Sequence, residues 1–536
     1  MSAQSHRRRT YRSWFSPASL WIALSWFGPG TFVGASEPPN ILFIYADDQN
    51  LKTLSCYEGT PQWVSTPHID QLAHQGLRFK RAYFGAWCMP SRASFLTGRF
   101  QHGIESMRME GQYPGSTYDP SKCRFWPSVL RENGYHTAQI GKWHTGIDSG
   151  VGRDWDHQIV WNRPAHPENA GNYFYDQIVT FNGVDQLVEG YSTDNYTDWA
   201  VDYIRGKTRD ENKPWYLWLC YGAVHGPTTP ADRHEGDLSG KQPEVPADIF
   251  GPWPDKPDYL NETAAWYPNS SGYPVRKKKK IATSNFNTNT AGQPYDDWVQ
   301  QTNECMMAVD EGVGRVIEAL KESGQFENTL IVYTADQGYA LGEHGLNQKV
   351  APYDAALASP LIMVQHDQIS PGTVCDHPVT APDLVGLFAK KAGIQIPWKI
   401  HARDIQDLID PPSQDTWNQP MIMTHTGRMY GSDTDHQPSQ DEMMQVGSTP
   451  WYVVLRDGQL KYIRYLIDGE TEELYDLEAD PEELTNLALL PDYQDRLATM
   501  RTIAIEQLRK TDAGLVDWMP PTAAMKANDE DVLLNN

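Results

Sequence analysis

The fold of the chain is decided by 40-NILFIYADDQN-50, an apolar run of β type that ends in Asp47 and Asp48. A short buried strand whose carboxyl end delivers polar residues is the way in which open α/β sheets build sites. Further buried strands are predicted in 136-HTAQIGKWHTG-146, 214-PWYLWLCYGAVHGP-227, 328-NTLIVYTADQG-338 and 359-SPLIMVQHD-367. Helical patterns lie between them in 65–83, 126–135, 195–206 and 298–324. This alternation predicts an α/β fold with a large, mostly parallel central sheet sandwiched by helices.

The pattern of predicted secondary structure changes at about residue 396. The segment 451-WYVVLRDGQLKYIRYL-466 places an Asp-Gly turn between two β-rich runs, which is a hairpin signal, and a helical pattern follows at 492–510. We therefore expect a smaller C-terminal α+β domain with an antiparallel sheet over 396–536, after a catalytic α/β domain over 36–395.

The N-terminus predicts export. A basic stretch, 1–15, precedes a short apolar run, 19-SLWIALSWFGPGTFVGAS-36, with Val33 and Ala35 placed for signal-peptidase cleavage. The run is short and broken by proline and glycine, which favours a signal peptide over 1–35 and a secreted or periplasmic protein. An uncleaved N-terminal anchor is the alternative. The rest of the sequence contains no segment apolar enough for a stable membrane span.

The charge of the chain limits its partners. A formal net charge of −24 over 536 residues argues against nucleic acid, which needs a basic footprint. An anionic substrate would require a local cationic pocket. The 11% aromatic content suits sugar binding, although a large core also uses aromatic residues. The basic run 276-RKKKK-280 could collect an anionic polymer or be a solvated loop.

The most informative segment is 88-CMPSR-92, followed by 93-ASFLTGR-99. A cysteine close to an arginine can be a nucleophile whose pKa is lowered by the cation, or a buried residue at a helix start. The six cysteines form no CxxC pair and no Cys/His spacing of a zinc site.

These residues closely resemble the C-x-P-S-R and T-G-R signature of type I sulfatases, a family of the alkaline phosphatase superfamily. The resemblance extends in order over nearly the whole chain after residue 36 and is closest to iduronate-2-sulfatase-like glycan sulfatases. Its segments are 40–49, 88–99, 141–146, 223–227, 334–345 with nearby Lys349, and 474-LYDLEADPEELTNLA-488. The resemblance implies that Cys88 is oxidised to formylglycine (3-oxoalanine) by a formylglycine-generating or equivalent maturation enzyme.

The site residues also make chemical sense by themselves. Asp47, Asp48, Asp336 and the amide oxygen of Gln337 form an all-oxygen set that suits a hard cation such as calcium, with modified residue 88 as a further ligand. Five cationic or ionisable side chains supply the pocket that an anionic substrate needs, namely Arg92, Lys142, His144, His225 and Lys349. Because Lys142 and His144 are two residues apart, an extended strand would point both to one side.

The resemblance implies a two-step hydrolysis of sulfate esters. Hydrated formylglycine attacks sulfur, Asp336 takes its proton, and Arg92 and Lys142 steady the modified residue. His225, assisted by Lys349, protonates the leaving alcohol, and a later proton passes to His144. The substrate is expected to be a sulfated polysaccharide or oligosaccharide. A phosphodiester or phosphonate monoester hydrolase of the same superfamily is an alternative, and an unmodified Cys88 would favour a sulfated-glycan-binding protein.

Overall fold

The 40–46 segment forms the strand at the centre of a large mixed sheet in the computed structural model of the chain. The structure describes residues 38–110, 115–277, 291–409, 414 and 416–522. The predicted signal peptide 1–35 and residues 278–280 of the basic run lie outside these residues. Within the described ranges, no helix combines the length and the apolar character that a bilayer crossing requires.

The structure contains the predicted strands and others that the sequence did not predict. They are β1 (Asn40–Ala46), β2 (Leu77–Tyr83), β3 (Met107–Glu110), β4 (Gly115–Tyr118), β5 (His136–Lys142), β6 (His157–Trp161), β7 (Tyr175–Phe181), β8 (Val184–Tyr191), β9 (Trp215–Cys220), β10 (Trp266–Pro268), β11 (Pro274–Arg276), β12 (Thr329–Ala335), β13 (Ala358–Val364), β14 (Thr373–Cys375), β15 (Val379–Thr380), β16 (Met421–His425), β17 (Tyr452–Asp457), β18 (Leu460–Tyr465) and β19 (Glu473–Asp476).

Helices lie between the strands and after the last of them. They are α1 (Pro67–Gln75), α2 (Cys88–Thr97), α3 (Pro127–Glu132), α4 (Ser192–Ile204), α5 (Tyr259–Thr263), α6 (Tyr295–Glu322), α7 (Asp354–Leu357), α8 (Ala381–Lys391), α9 (Gln406–Ile409), α10 (Gln440–Met443) and α11 (Gln494–Lys510).

The main sheet is parallel at its centre, with antiparallel pairs on both sides of the centre and with β14 and β15 parallel to β2 at one end. Its strand order is β14-β2-β13-β12-β1-β9-β5-β6-β7-β8, with β15 pairing with β2. Strands β12, β1, β9, β5 and β6 run parallel, whereas β13 pairs antiparallel with β12 and with β2, and β7 pairs antiparallel with β6 and with β8. The predicted fold class is confirmed.

The alternation of β1 explains why the sheet is covered on both faces. Ile41, Phe43 and Tyr45 pack in a core with residues of α2, α3 and α8. Leu42 and Ile44 point the other way and pack with residues of α1, α4 and α6. Because every second side chain of a strand faces the same side, the unbroken apolar run buries both faces of this strand.

One helix prediction extended too far. The segment 65–83 was expected to be helical with Leu77 on its apolar face, but α1 ends at Gln75 and β2 begins at Leu77. Glycine at position 76 terminates the helix, and the alternating burial of the following residues is that of a strand.

The C-terminal residues form the predicted antiparallel sheet, in the order β16-β17-β18-β19. One face packs against α11, through residues such as Val453 and Leu455. The other face, including Tyr452 and Val454, packs against Val350 and against Met89, the residue after Cys88. The division of the chain at 395/396 stays a prediction, because the described residues after Glu37 belong to one compact unit.

A buried polar seam, defined here as Lys256, Tyr353, Asp354, Lys461, Glu473 and Glu483, joins the C-terminal sheet to the rest of the chain. The Lys461 Nζ lies 2.7 Å from Asp354 Oδ1 and 2.7 Å from Glu483 Oε1. Tyr353 donates to the Glu473 carboxylate at 3.0 and 3.1 Å, and Lys256 Nζ donates to the main-chain oxygen of Glu483 at 2.6 Å. The seam therefore fixes the segment that follows Lys349 against the C-terminal sheet.

Candidate active site

The candidate site lies at the carboxyl ends of the central parallel strands. Asp47 and Asp48 follow β1, Asp336 follows β12, Lys142 ends β5, and His225 lies a few residues beyond β9. Parallel strands present their carboxyl ends at one edge of a sheet, so segments distant in sequence meet there.

Cys88 is the first residue of α2 and points into this site. Its thiol Sγ lies 3.6 Å from Asp47 Oδ1 and 3.8 Å from Asp48 Oδ1, and its side chain is buried. One ligand atom each of Asp47, Asp48, Cys88 and His225 lies within 4.8 Å of the others. Burial raises the pKa of the Cys88 thiol, and the charge of Asp47 raises it further. The unmodified thiol is therefore a poor nucleophile here, since the thiolate is the reactive form.

The local sequence explains the geometry at the start of α2. Ser91 Oγ donates to the main-chain oxygen of Trp87 at 3.1 Å, and Gly98 ends the helix with φ +70° and a hydrogen bond to Ser94 O at 2.8 Å. A Cβ on Gly85 would lie 2.5 Å from Ser91 Oγ and 2.9 Å from Ser91 N. A residue without a side chain at position 85 thus lets the preceding loop approach the first turn of α2.

Asp336 and Gln337 complete the oxygen-rich part of the site. Asp336 Oδ1 accepts the main-chain N–H groups of Asp48 at 2.9 Å and of Gln337 at 3.0 Å. The Gln337 Nε2 contacts Asp48 Oδ1. Asp336 Oδ2 and Gln337 Oε1 are buried and have no hydrogen-bond partner among the described residues. Buried acceptors without partners are costly unless something fills the space, which is the condition expected of metal ligands.

Two cations, Arg92 and Lys142, lie against the carboxylates of Asp47 and Asp336. Arg92 Nη2 lies 2.9 Å from Asp47 Oδ2 and 3.7 Å from Asp336 Oδ2, and Lys142 Nζ contacts the same Asp47 oxygen. Burial raises the pKa of Asp47, but the charges of Lys142 and Arg92 outweigh burial and hold this pKa well below its usual range. Burial and the neighbouring Asp47 and Asp48 raise the pKa of Asp336 to about 7. The site therefore keeps Asp47 ionised, whereas Asp336 holds a proton more readily than Asp47 does.

Lys349 and His225 both contact the carboxylate of Asp48. The Lys349 Nζ is 2.6 and 2.9 Å from the two Asp48 oxygens and 2.9 Å from Cys88 Sγ. His225 Nε2 is 3.4 Å from Asp48 Oδ2, and its Nδ1 lies 2.5 Å from the main-chain oxygen of Gly226. Since a carbonyl oxygen accepts only, Nδ1 carries the proton in neutral His225 and Nε2 is the atom that faces the site.

His144 does not lie on one extended strand with Lys142, as the sequence suggested. Strand β5 ends at Lys142, and His144 has φ +61°, so the two side chains do not alternate along one extended strand. The buried Trp143, whose Nε1 donates to Gly146 O at 3.0 Å, lies between them in a tight turn. The His144 Nε2 lies 3.4 Å from Arg163 Nη1. Burial and the charges of Arg163 and Lys142 hold the pKa of His144 well below its usual value.

Two site residues, Tyr173 and Arg163, were absent from the predicted set. The ring of Tyr173 stacks on His225 with centroids 4.0 Å apart and an interplanar angle of 7°, and its Oη lies 3.1 Å from His225 Nε2. Lys142 Nζ is 5.0 Å and Arg163 Cζ is 4.8 Å from the centre of the Tyr173 ring. Arg163 comes two residues after β6, so recognition of that strand would have pointed to it.

Comparison with known proteins agrees with this geometry. The family model described as Sulfatase matches residues 39–394, and the model described as N-sulphoglucosamine sulphohydrolase, C-terminal, matches residues 342–511. An N-acetylglucosamine-6-O-sulfatase of Bacteroides thetaiotaomicron is 27% identical over 84% of this chain and 83% of its own length. The iduronate 2-sulfatase of Mus musculus is 28% identical over 66% of this chain and 64% of its own length.

A solved structure shares the fold. It is a protein in complex with its substrate D-glucosamine-2-N,6-O-disulfate, and it superposes with a TM-score of 0.73 at 24% identity. The match covers 89% of this chain and 98% of the other.

Proposed function

Because this chain belongs to the sulfatase family of sulfuric ester hydrolases, we propose that it removes sulfate from a sulfated carbohydrate with a formylglycine made from Cys88 and a calcium ion. The observation that carries the proposal is the position of Cys88, whose Sγ lies within 4 Å of both Asp47 and Asp48 at the strand ends. The carbohydrate follows from the named activities of the relatives, which include an N-acetylglucosamine-6-O-sulfatase and an iduronate 2-sulfatase.

The residues at the strand ends fit a calcium ion. Asp47, Asp48, Asp336, Gln337 and the modified residue 88 would hold it, and the orphaned oxygens of Asp336 and Gln337 support this assignment. Cys88 and His225 could instead suggest a softer metal, but oxidation of Cys88 removes its sulfur, and His225 is already engaged by Tyr173. When bound, the ion would supply positive charge next to the sulfate oxygens.

Formylglycine at position 88 would supply a hydrated aldehyde, and the neighbouring side chains have roles that follow from their atoms. Arg92 and Lys142 keep Asp47 ionised and fix it beside residue 88. Lys349 Nζ is placed to bind an anion at residue 88. The Nε2 of His225, held by Tyr173 and by the Nδ1 contact to Gly226, is the atom that faces a leaving oxygen. It gives a proton only from the imidazolium form, and burial together with the charges of Lys349 and Lys142 holds the pKa of His225 well below its usual value, so a proton taken up there is readily released.

The charges of the site suit a sulfate ester. The three carboxylates are formally balanced by Arg92, Lys142 and Lys349, so a divalent cation would leave an excess of positive charge. A sulfate monoester carries one negative charge and would be attracted to such a site even inside a strongly acidic chain.

The test combines mass spectrometry with turnover. The protein is produced together with a formylglycine-generating enzyme, and the Cys88 peptide is expected to show the mass loss of thiol-to-aldehyde conversion. The converted protein should hydrolyse sulfated sugars, whereas Cys88→Ala should not. Phosphonate monoesters and phosphodiesters are assayed in parallel. Faster turnover of those esters would replace the sulfatase proposal, and an unmodified Cys88 with tight glycan binding would favour a binding protein.

We also propose export of the protein, on the basis of the basic and apolar segments within residues 1–35. N-terminal sequencing of protein from its native cell should then begin close to residue 36. A chain that keeps residues 1–35 and sediments with membranes would instead indicate an anchor.

A further inference from the structure

Arg276 is a cation without a counter-ion close to the candidate site. It ends β11, and its guanidinium carbon lies 5.1 Å from the ring centre of Trp298. Among the described residues no carboxylate lies within 4.0 Å of it, and the sequence 278–290 that follows contains no Asp or Glu. Burial lowers the pKa of the Arg276 guanidinium, while the nearby Tyr339 phenol acts in the opposite direction. An incompletely solvated positive charge is thus maintained without an acidic partner, which is costly unless a ligand supplies one.

Hydrogen bonds join Arg276 to the segment that carries Lys349. With the Asn347 amide oriented so that both of its groups are satisfied, its oxygen accepts from Arg276 Nε at 2.8 Å and from Nη2 at 2.7 Å. Its nitrogen then donates to Tyr339 Oη at 3.1 Å. Asn347 precedes Lys349 by two residues, and Tyr339 follows Asp336 by three. Burial raises the pKa of Tyr339, the charge of Arg276 lowers it, and the charges of Asp48 and Lys349 act in opposite directions on it, Asp48 raising and Lys349 lowering it.

The guanidinium still has donors to offer. Nε and Nη2 bind Asn347, and Nη1 donates to Gln293 Oε1 at 3.1 Å. One N–H on each Nη remains without a partner among the described residues, and the side chain is partly exposed. Two N–H groups of one guanidinium match the two oxygens of a carboxylate or of a sulfate group.

We propose that Arg276, oriented by Asn347 and Tyr339, is a subsite for a second anionic group on the saccharide whose sulfate ester lies at residue 88. The ligand is a carboxylate or a further sulfate of that sugar or of its neighbour. This inference rests on the proposed function, because it assumes that a sulfated sugar occupies the site. Such a subsite would favour sugars with two anionic groups, since the second anion meets a charge that no carboxylate of the described residues neutralises.

Direct binding tests the subsite independently of turnover. The Cys88→Ala variant, supplied with calcium, is titrated by calorimetry with glucosamine-N,6-disulfate and with N-acetylglucosamine-6-sulfate, which lacks the second anion. Adding Arg276→Gln should weaken the binding of the disulfated sugar by a factor at least about tenfold larger than for the monosulfated sugar. This is the loss of affinity expected when a charge-assisted contact is removed. Arg276→Lys should recover part of the difference, because it restores the charge but not the paired donors.

The controls separate recognition from structure. Arg205→Gln removes an exposed arginine that pairs with Glu322 on α6 and should leave the affinity ratio of the two sugars unchanged. A monosulfated disaccharide that carries a hexuronate distinguishes a carboxylate from a sulfate as the bound group. The subsite is overturned if Arg276→Gln weakens the binding of all sugars equally. It is also overturned if the protein with Arg276 intact shows no preference for a sugar with a second anion. A failure of the proposed function would be seen in different measurements, as an unmodified Cys88 in the mass spectrum or an absence of sulfate release in the turnover assay.

Discussion

Removal of the Tyr173 hydroxyl tests whether His225 acts on the leaving group. In Tyr173→Phe the stacked ring, with its centroid 4.0 Å from that of His225, is kept, while the contact at 3.1 Å between Oη and Nε2 is lost. His225 keeps its Nδ1 contact to Gly226 and gains freedom to rotate. Tyr173 is therefore treated as a positioning residue, and the substitution changes the orientation of one nitrogen with little change in volume.

The expected size of the effect follows from one hydrogen bond. A neutral hydrogen bond contributes about 0.5–1.5 kcal/mol, and loss of that amount from the transition state slows the reaction about 2- to 13-fold. In Tyr173→Leu the aromatic stack is lost as well, which adds about 0.5–1.5 kcal/mol. We therefore expect Tyr173→Leu to be slower than Tyr173→Phe.

The assay compares esters whose leaving alcohols differ in acidity. A general acid matters most when the leaving oxygen is basic, as in a sugar alcohol, and least for a nitrophenol. The ratio of kcat/KM between wild type and Tyr173→Phe should therefore rise from aryl sulfates to sugar sulfates. A ratio that is the same for all leaving groups would refute the positioning of His225 by Tyr173, as would the absence of any loss with sugar sulfates.

Three further predictions concern stability and metal binding. Lys461→Met leaves Glu483 buried without its cation and leaves Asp354 with Arg81 as its remaining ion-pair partner, and it should lower the free energy of unfolding by about 3–5 kcal/mol. The exposed Lys399→Met should change it by less than about 1 kcal/mol in the same urea titration. Burial lowers the pKa of His425 to about 3, so the unfolded state takes up its proton below pH 6.5 and folded stability is lost as the pH falls. Relative to wild type, His425→Leu should therefore gain about 2 kcal/mol between pH 7.5 and pH 5, and parallel stability curves would contradict this. Chelation of the proposed calcium ion should lower the melting temperature reversibly, because such an ion would bind the folded state only. Identical melting curves with chelator and with calcium would argue against the metal.

The fold was largely predictable because its information is local. The unbroken apolar run of 40–46 indicates a buried strand, which the structure contains, and the candidate residues Asp47 and Asp48 lie at its carboxyl end. Cys88, Asp47, Asp48 and Asp336 could be named in advance because they lie in short segments with a recognisable order. Their approach to one another then follows from parallel strands whose carboxyl ends share one edge.

The features that escaped prediction depend on contacts between distant segments or on backbone turns. Tyr173 reaches His225 only because the segment after β6 returns over the strand ends, and no spacing in the sequence encodes that return. His144 departs from the expected alternation because the chain turns at a residue with φ +61°. Arg276 was seen as the first residue of a basic run, but its pairing with Asn347 required the folded chain.

The buried polar seam has a consequence for protein engineering. Lys256, Tyr353 and Asp354 come from the part of the chain before residue 396, whereas Lys461, Glu473 and Glu483 come from the part after it. A gene shortened before β16 would leave one hydroxyl donor, one carboxylate and one cation of this set without their C-terminal partners, beside the segment that carries Lys349. Grafting the C-terminal segment of a relative onto this chain, in order to change its substrate, would require that both halves of the seam be exchanged together.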